Sequence, residues 1–526
     1  MKEVCIIDGV CGMGKTTSIK AEIKKITEGI ANPTKEDPKV IFSSPYREDC
    51  MIMAEVDYTT TDKVANPIFN KSREVIYKAK SFPFKFYSNM FYKKDDYRTL
   101  QEKITELIKS NRNIVITHES LLRLPLTVID LLQEYNYHLI IDESPATMQV
   151  VEDIGETPID KEELEMLIER DIVLKHNITA QLTWNEEGKT KLKRYSEVQA
   201  IMNKGEFYLY KDTSLKGNHC VFILLAHSNL FLKPISVSIY TYLFEGTYCS
   251  AYFKLKKIPY KLIDRTKNEV IYNSAIYNYD LLINLYIPRD LNHEIFTHET
   301  TFSKKWYLET SKNLSLKKKG DVYSGKKVLT KKGKESISLL VKKTNSFMRM
   351  PFIKPSRELK AENDFLIEEI VKTGIGSTTL LQKLKEELEE EKCTSDEKLY
   401  STFKDFRQIV LPNTSAGYSE SNFLVFNQKA TNSYMHIKRV AYLVNVYPHG
   451  DIVTFLSSKG ITIDKKEYAT SELIQWIFRS RIRSGKKIDV FIPSYRMRML
   501  LIEWMNTIKQ QRHDRLDEIA SFPTFS

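Results

Sequence analysis

The sequence lacks any arrangement of cysteines that would hold a metal or a framework of disulfide bonds. Its 526 residues include six cysteines, and none of them forms a C-x-x-C pair or lies near a histidine cluster at zinc spacing. Isolated cysteines of this kind are typical of reduced, mostly buried thiols in a cytosolic protein. We therefore expect a cytoplasmic protein.

Long apolar runs are also missing. The most apolar stretch, CVFILLAHSNLFL from Cys220, is interrupted by His227, Ser228 and Asn229, so it is too short to cross a bilayer. A secretory signal is not expected either, because a glycine-rich loop stands where that signal would lie. These absences predict a soluble protein without a membrane partner.

Acidic residues are fewer than basic ones, with 68 Asp and Glu against 79 Lys and Arg and a net charge of +11. Residues 301–350 alone hold 14 basic and three acidic residues, which is an excess of +11. Clustered lysines and arginines attract phosphate backbones, so the charge favours a polyanionic partner. A solvated basic loop would have the same composition, and the role of this segment stays open at this point.

Short apolar runs alternate with helical patterns through the first 145 residues. Each run is rich in Ile and Val and ends in polar residues, and the alternation predicts βαβ units of a parallel sheet. Ligands of such sheets bind outside the carboxyl ends of the strands, which makes the terminal polar residues the candidate site. The predicted strands are EVCIID (3–8), VIFSS (40–44), NIVITH (113–118) and HLIIDE (138–143).

Other segments carry weaker signals. WNEEGKTKLKRY (184–195) favours a surface hairpin or loop, and TLLQKLKEELEEEKC (379–393) has leucines at the spacing of an exposed amphipathic helix. Towards the end of the chain the pattern is α/β again. In this last part we predict a helix at EYATSELIQWIFRSRIRSG (467–485), a strand at KIDVFIPS (487–494) and a closing helix at RMRMLLIEWMNTIKQQ. In the middle of the chain we predict a strand at ISVSIYTYLF (235–244).

A phosphate-binding loop opens the chain. The stretch GVCGMGKT (9–16) fits G-x-x-x-x-G-K-[ST] at every fixed position, and it lies between a predicted strand and a predicted helix. Its glycines let backbone amides turn towards phosphate oxygens, and the helix end that follows attracts the same anion. Lys15 would reach the β- and γ-phosphates, and Thr16 would bind Mg²⁺. The residues predicted to bind the nucleotide are Gly9, Gly12, Met13, Gly14, Lys15, Thr16 and Thr17.

A second acidic element follows in HLIIDES (138–144). Asp142 would hold Mg²⁺, usually through water, and Glu143 would orient and activate the attacking water. An Asp followed directly by Glu suits hydrolysis better than transfer to a bound hydroxyl. Two exposed acids at a strand end would look the same, but the neighbouring phosphate loop favours the catalytic interpretation. ATP and Mg²⁺ are therefore the predicted cofactors.

The order of a P-loop, an Asp-Glu strand and a distant helix rich in Gln and Arg resembles superfamily 2 helicases. More narrowly, it resembles the DEAD-like helicase proteins that some bacteriophages encode. The resemblance covers roughly residues 1–150 and 400–500, and it covers the middle poorly. It implies an α/β fold of two RecA-like P-loop domains with parallel sheets flanked by helices. Domain 1 would span 1–265 with an insertion at about 151–220, and domain 2 would span 266–526 with a basic and helical insertion at about 295–395.

Further segments stand in the family's order. FSSPYRED (42–49) and VITHESLL (115–122) occupy the places of nucleic-acid-contacting loops, and STFKDFR (401–407) and NQKATNSY (427–434) fit loops of the second domain. IYTYLFEG (239–246) stands where such proteins carry Ser/Thr-Ala-Thr, but here Thr241 is followed by Tyr242. The nucleic-acid contacts that the resemblance implies are Ser44, Pro45, Arg47, Thr117, His118 and Thr431.

The clearest match in the second half is QWIFRSRIR (475–483), beside the family pattern Gln-x-x-Gly-Arg-x-x-Arg. Phe478 replaces the glycine, and the last arginine falls one place late. In a helix, Arg479 and Arg483 would share one face, because they are four residues apart. The resemblance implies catalytic roles for Gln475, Arg479 and Arg483 at the γ-phosphate, where an arginine fork stabilises the diffuse charge of phosphoryl transfer.

The resemblance implies an ATP-dependent helicase or translocase in which two lobes clasp ATP and nucleic acid crosses both. DNA is expected more than RNA, with room for a replication or recombination protein as partner and with the host cytoplasm as location if the chain is phage-encoded. Two alternatives stay open. One is a nucleotide-gated nucleic-acid-binding regulator with a degenerate motor, which Tyr242 and Phe478 favour. The other is a P-loop kinase, which would explain residues 1–20 but not the distal arginines.

Overall fold

The computed structural model divides into two compact units. Unit 1 comprises Met1–Val10, Gly14–Asn268 and Pro448–Asp464, and unit 2 comprises Cys11–Met13, Glu269–Tyr447 and Lys465–Ser526. The residues that the structure describes are 2–10, 14–53, 86–88, 99–154, 157–185, 193–211, 219–264, 279–287, 294–313, 316–318, 321–323, 327–350, 368, 393–407, 410, 419–427 and 433–521.

Unit 1 contains a parallel sheet and a smaller antiparallel one. Its described strands, numbered in chain order, are β1 (Val4–Asp8), β2 (Lys39–Ser44), β3 (Phe86–Tyr87), β4 (Asn113–Thr117), β5 (Tyr137–Asp142), β6 (Met148–Val151), β7 (Asp153–Ile154), β8 (Thr157–Pro158), β9 (Val173–Lys175), β10 (Gln181–Trp184), β11 (Glu206–Lys211), β12 (Val221–Leu225), β13 (Ser236–Thr241) and β14 (Tyr260–Asp264). The seven-stranded parallel sheet has the order β14-β1-β13-β5-β2-β4-β3. The predicted strands at 3–8, 40–44, 113–118, 138–143 and 235–244 all lie in it.

The helices of unit 1 connect and flank these strands. Those described are Lys15–Ile26, Arg47–Met53, Leu100–Lys109, His118–Leu122, Leu126–Glu134, Lys161–Glu169, Lys193–Met202, Asn229–Leu232, Tyr248–Lys256 and Gly450–Ser458. Local sequence marks where several of them begin. Leu100–Lys109, for example, starts at a capping box in which Thr99 and Glu102 satisfy each other's backbone amides. Among the described helices of the chain, none is long and apolar enough to span a membrane.

The parallel sheet is apolar on both faces. Successive side chains of a strand point to opposite faces, and on β5 Leu139 and Ile141 belong to one buried cluster while Ile140 belongs to another. β4 shows the same alternation. Helices that cover both faces explain why these strands read as continuous apolar runs in the sequence.

Residues 151–220, predicted as an insertion without a clear pattern, contribute most of a five-stranded antiparallel sheet of order β6-β12-β11-β10-β9. Its strands are three to six residues long, so too few alternations are present to mark them in the sequence. Gly205 lets β11 begin close to β12, because a Cβ atom there would lie 2.1 Å from the carbonyl oxygen of Leu225. Of the predicted surface loop at 184–195, Trp184 ends β10 and Lys193 begins a helix; residues 186–192 lie outside the described part.

Unit 2 is built on a four-stranded parallel sheet of order β15-β22-β21-β20, made of β15 (Ile283–Tyr286), β20 (Lys398–Ser401), β21 (Arg439–Tyr442) and β22 (Ile488–Phe491). Two short antiparallel pairs lie in the basic window: β16 (Ser311–Asn313) with β19 (Lys327–Leu329), and β17 (Leu316–Lys318) with β18 (Asp321–Tyr323). The described helices are Tyr279–Leu282, Glu294–Thr297, Lys304–Thr310, Lys331–Arg349, Lys465–Ile477 and Tyr495–Ser521.

Parallel sheets flanked by helices in both units confirm the predicted α/β class and fit a pair of RecA-like domains. The strand at 487–494 and the closing helix are present as β22 and Tyr495–Ser521. The single helix predicted over 467–485 is wrong, because the helix ends at Ile477 and Ser480 is extended. The amphipathic helix predicted at 379–393 lies outside the described residues except for Cys393.

A buried ion pair holds the centre of unit 2 together. Arg439 on β21 and Asp489 on β22 are paired at 2.7 Å, and their side chains are 1% and 0% exposed. The same guanidinium also donates to the carbonyl oxygens of Phe347 and Met350, so its hydrogen-bonding capacity is used without water. Removing one member of such a pair leaves an uncompensated buried charge.

We expect Asp489→Asn to destabilise unit 2 by about 3–5 kcal/mol, because the Arg439 charge would stay buried without its counter-charge. Urea unfolding followed by a probe in unit 2 measures this loss. The exposed pair Lys305–Glu309 supplies the control, and Glu309→Gln should cost less than about 1 kcal/mol. Equal losses in the two variants would contradict the role given to the buried pair.

The half-buried His138 predicts that the stability of unit 1 depends on pH. His138 on β5 shares a 2.7 Å hydrogen bond with Ser236 on β13, and burial, helped by the charge of Lys2, lowers the pKa of His138 from 6.5 to about 4. Below pH 6.5, His138 is therefore protonated in the unfolded chain but stays neutral in the folded chain until the pH approaches 4. Stability is complete above pH 6.5 and decreases as the pH falls towards 4.

The expected result is an unfolding midpoint of unit 1 that drops between pH 6.5 and pH 4, and a flatter profile for His138→Gln, whose amide bonds to Ser236 without titrating. Thermal unfolding at half-unit pH steps compares the two proteins. Profiles of the same slope over this window would assign the acid sensitivity to other groups.

Candidate nucleotide site

Polar residues that follow the strands of unit 1 meet at one edge of the parallel sheet. The register pairs Asp8 with Thr241, and Tyr240, the residue before Thr241, with Asp142. Further along the edge, Ser44 is paired with Thr117. The strand ends that the sequence singled out are therefore neighbours in space, and this edge is the candidate site.

The phosphate loop joins this edge directly. The amide of Gly9 donates to the carbonyl oxygen of Thr241 at 3.0 Å, and Gly14 caps the helix Lys15–Ile26 in a left-handed conformation with φ of 75°. A side chain would be strained at that φ, which explains the glycine. Thr16 and Thr17 are exposed in the first turn of the helix. Cys11, Gly12 and Met13 lie outside the described residues.

Lys15 and Glu143 form a buried ion pair at the centre of the site. Lys15 Nζ lies 2.6 Å from Glu143 Oε1, and the two side chains are 9% and 11% exposed. Glu143 has a φ of 69°, which is uncommon for a residue with a side chain, and its amide donates to the carbonyl oxygen of Tyr240 at 2.8 Å. Among the described residues, Glu143 Oε2 is buried without a hydrogen-bond partner.

Two further contacts connect the three central strands. Ser144 Oγ donates to Thr241 Oγ1 at 2.9 Å, and both residues are buried. The carboxylate of Asp8 accepts from the amides of Leu243 and Phe244 at 2.8 and 2.9 Å, which holds the turn after β13. Asp8 and Ser144 were absent from the predicted site, although their places directly after strands could have indicated them.

The helix that follows the phosphate loop is fixed to the sheet by one acidic residue. Glu22 accepts from Ser238 Oγ at 2.6 Å and from the hydroxyl of Tyr240 at 2.5 Å. Both donors lie on β13, so the helix that carries Lys15 and Thr16 is held against the strand that carries Thr241. No local pattern could have indicated Glu22, because its partners are more than 200 residues away in the chain.

The donor set fits a magnesium-bound nucleotide. Thr16 offers an exposed hydroxyl, and Asp142 a half-buried carboxylate at the end of β5, and hydroxyl and carboxylate oxygens are ligands that Mg²⁺ takes beside phosphate oxygens and water. Within the described residues no group of three or more His, Cys, Asp or Glu could hold a metal on its own. A phosphate-dependent site of the P-loop kind requires no such cluster, since the substrate supplies ligands.

The residues predicted to contact nucleic acid differ in accessibility. Ser44 and His118 are buried, and Ser44 Oγ lies 3.2 Å from Asp49 Oδ2. Thr117 accepts from the amide of Ser120 and caps the short helix His118–Leu122. Pro45 and Thr117 are half-buried and Arg47 is exposed, so these three are the accessible members; Thr431 lies outside the described part.

In unit 2, the three residues predicted at the γ-phosphate do not share a helical face. Gln475 lies in the helix and donates to Ser471 Oγ, Arg479 is buried just after the helix end, and Arg483 lies in a 3-10 turn, Arg481–Ser484. The helix does not continue, because the amide of Arg481 donates to the carbonyl oxygen of Ile437, while the carbonyl oxygen of Ile477 accepts from the amide and the hydroxyl of Ser480. Catalytic roles for Gln475, Arg479 and Arg483 remain predictions.

Residues 369–505, which include β20, β21 and β22, match a family model described as the YonV C-terminal Rossmann-like domain. The chain is also similar to the SPbeta prophage-derived uncharacterized protein YonV of Bacillus subtilis (strain 168). The two are 27% identical over 511 residues, which cover 96% of this chain and 99% of that protein. A prophage-derived relative agrees with the phage-encoded resemblance found in the sequence.

Solved structures that the chain resembles include Xpd4 of S. tokodaii and Dbp5 of S. cerevisiae. Xpd4 of S. tokodaii is 11% identical with a TM-score of 0.38, and the match covers 95% of this chain and 94% of that one. Dbp5 of S. cerevisiae bound to RNA and ADP BeF3 is 12% identical with a TM-score of 0.31, over 97% and 84%. With TM-scores this low, the likeness supports no conclusion about the site.

A double-mutant cycle measures the hydrogen bond between Ser144 and Thr241. Thr241→Val keeps the shape of the side chain and removes the accepting hydroxyl, and we expect it to destabilise unit 1 by about 1 kcal/mol. In the Ser144→Ala background the same change should cost less, because the donor is already gone. Identical costs in both backgrounds, measured by urea unfolding, would exclude a stabilising bond between the two hydroxyls.

Proposed function

We propose that this chain is an ATPase of superfamily 2 type that uses ATP hydrolysis to move along nucleic acid or to separate its strands. One observation carries the proposal. The lysine of a P-loop and the glutamate of an Asp-Glu strand, 128 residues apart in the chain, are both buried and lie 2.6 Å apart at the carboxyl edge of a parallel sheet. This is the pair of groups that phosphoryl transfer to water needs, a phosphate-binding cation and a base for the nucleophile.

The contacts around Lys15 suit the binding of a triphosphate. The ammonium group is buried and contacts a carboxylate oxygen of Glu143, and phosphate oxygens offer it a higher negative charge than Glu143 does. Gly9, Gly14 and the start of the helix add backbone amides and the positive end of the helix dipole. Thr16 and Asp142 would hold Mg²⁺, which would neutralise charge that develops on the phosphates.

Release of Glu143 from Lys15 would switch on its role as a base. In the pair, one carboxylate oxygen of Glu143 is held by the ammonium group of Lys15. A triphosphate that takes over Lys15 leaves Glu143 with two oxygens for an attacking water, one of which, Oε2, is already without a partner among the described residues. Glu143 would then accept the proton that the water loses as it attacks the γ-phosphorus. The ion pair would thus keep the site inactive until substrate binds.

The same edge offers a route from hydrolysis to the nucleic acid. Ser144 follows Glu143 directly and bonds to Thr241, so a shift of Glu143 displaces a contact between β5 and β13. On the other side of β5 lies β2, where Pro45 and Arg47 follow the strand. Neighbouring strands lie about 5 Å apart, so a shift of Glu143 after β5 would also move Pro45 and Arg47 after β2.

Phosphate release from ATP, with and without single-stranded DNA, duplex DNA and RNA, tests the proposal. Lys15→Ala should lose both ATP binding and turnover. Glu143→Gln should lose turnover by at least about 100-fold, yet bind ATP about tenfold more tightly, because Lys15 is no longer engaged by a carboxylate. Lys24→Ala on the same helix and Glu106→Gln, both at exposed positions, are the matched controls.

The motor would be supported, and its substrate identified, if one nucleic acid stimulated turnover and this turnover were lost in both Lys15→Ala and Glu143→Gln. ATP binding with negligible turnover in the wild-type protein would instead favour a nucleotide-gated binding protein. Turnover that no nucleic acid changes would favour a P-loop kinase or another nucleotide-metabolising enzyme, and the proposal would be withdrawn.

A further inference from the structure

The helix Lys331–Arg349 in unit 2 has a buried apolar side and an exposed side that carries most of its described basic residues. Its buried side faces the core of the unit through Ile337, Leu340, Thr344, Phe347 and Met348. The opposite side is exposed and carries Lys331, Lys334, Lys342 and Arg349, with Glu335 as its single acidic residue. At about 100° per residue, Lys331, Lys342 and Arg349 fall within about 20° of one line along the helix. We name these four exposed cations the basic face.

Both ends of this helix are anchored to the rest of unit 2. At the start, Thr330 caps the helix and its amide donates to the carbonyl oxygen of Thr310, and Gly333 lies so close that a Cβ atom would be 1.9 Å from the same oxygen. At the end, the buried Arg439 donates to the carbonyl oxygens of Phe347, Met348 and Met350. The basic face is therefore a fixed row of cations about 27 Å long.

Helix stability explains Arg349 in the last turn but not the lysines at the start of the helix. The first turn contains Lys331, Lys332 and Lys334 and no acidic residue, although the positive end of the helix dipole disfavours cations there. Like charges along one face also repel one another. A row of cations that weakens its own helix is favourable overall only when a polyanion lies against it.

We infer that the basic face binds the phosphate backbone of nucleic acid, as a second contact surface outside the nucleotide site. A rigid row of positive charge matches the regular charge of a phosphate backbone, whereas an acidic protein segment would need carboxylates at matching intervals. Such contacts are independent of base sequence and sensitive to salt. The inference extends the nucleic-acid partner of the proposed function, but binding at this face requires neither ATP nor its hydrolysis.

Binding of a labelled oligonucleotide of about 30 nucleotides, single-stranded or duplex, is measured without nucleotide over a range of salt concentrations. In the triple variant Lys331→Gln, Lys334→Gln and Lys342→Gln, the slope of log affinity against log salt should fall by about two, and affinity at 0.1 M salt by about 100-fold. Gln matches Lys in helix propensity, so the helix should persist. Arginine at the same three positions should retain binding.

The control variant removes three exposed lysines from other helices, Lys24→Gln, Lys109→Gln and Lys509→Gln, and should keep most of the slope. An equal decrease in both triple variants would overturn the inference, because net charge alone would then explain binding. An unchanged slope in the first variant would also overturn it. The inference would likewise be overturned if the first triple variant lost binding to phosphatidylserine vesicles or to polyglutamate but kept its binding to the oligonucleotide.

The two proposals fail in different ways. Suppose that the first triple variant keeps the wild-type ATP turnover with nucleic acid and also the wild-type slope of log affinity against log salt. The basic face would then be rejected as a binding surface, and the motor proposal would stand. A basic face that binds oligonucleotide in a protein without ATP turnover would reject the motor and support the face. Lys15→Ala should bind oligonucleotide through the basic face as the wild-type protein does.

Discussion

The parallel register of β1, β13, β5, β2 and β4 is the constraint on which the candidate site depends. Strands that run the same way end at the same edge, so residues from distant parts of the chain meet there. Asp8 at the start of the chain thereby binds amides 235 and 236 residues away, and the amide of Gly9 reaches Thr241. A strand inserted in the opposite direction between β1 and β5 would separate the phosphate loop from its carboxylates.

The buried charges of the two units have different consequences. Arg439 and Asp489 satisfy each other and nearby carbonyl oxygens, and Lys39 is surrounded by the carbonyl oxygens of Thr34, Lys35 and Asp37. These groups are complete and serve the fold. In the pair of Lys15 and Glu143, by contrast, the Oε2 atom of Glu143 has no hydrogen-bond partner among the described residues. A buried pair that is only partly satisfied is costly for stability, and such sites are where chemistry is expected.

In unit 2, Arg439 joins the core of the sheet to the helix Lys331–Arg349, which carries the basic face. Arg439 pairs with Asp489 inside the sheet and also holds the last carbonyl oxygens of the helix that carries the basic face. The charge excess that is visible in the sequence at 301–350 is thereby partly ordered into a row on a rigid element. The sequence could show how many cations this window holds, but their common direction follows from which side of the helix is buried.

The sequence by itself determined the α/β class, the main parallel strands and the phosphate loop with its Asp-Glu partner, because these depend on apolar runs and on residues close together in the chain. It failed where the signal was short or the contact distant. The antiparallel sheet of unit 1 has strands too short to show a period, and the helix does not continue beyond Ile477, because the amide of Arg481 donates to the carbonyl oxygen of Ile437. Only the tertiary structure decided that Lys15 pairs with Glu143, that Ser144 bonds to Thr241 and that Glu22 holds the helix. The physical reason is that each of these contacts joins residues about 100 or more positions apart, and strand register, which no local pattern encodes, brings them together.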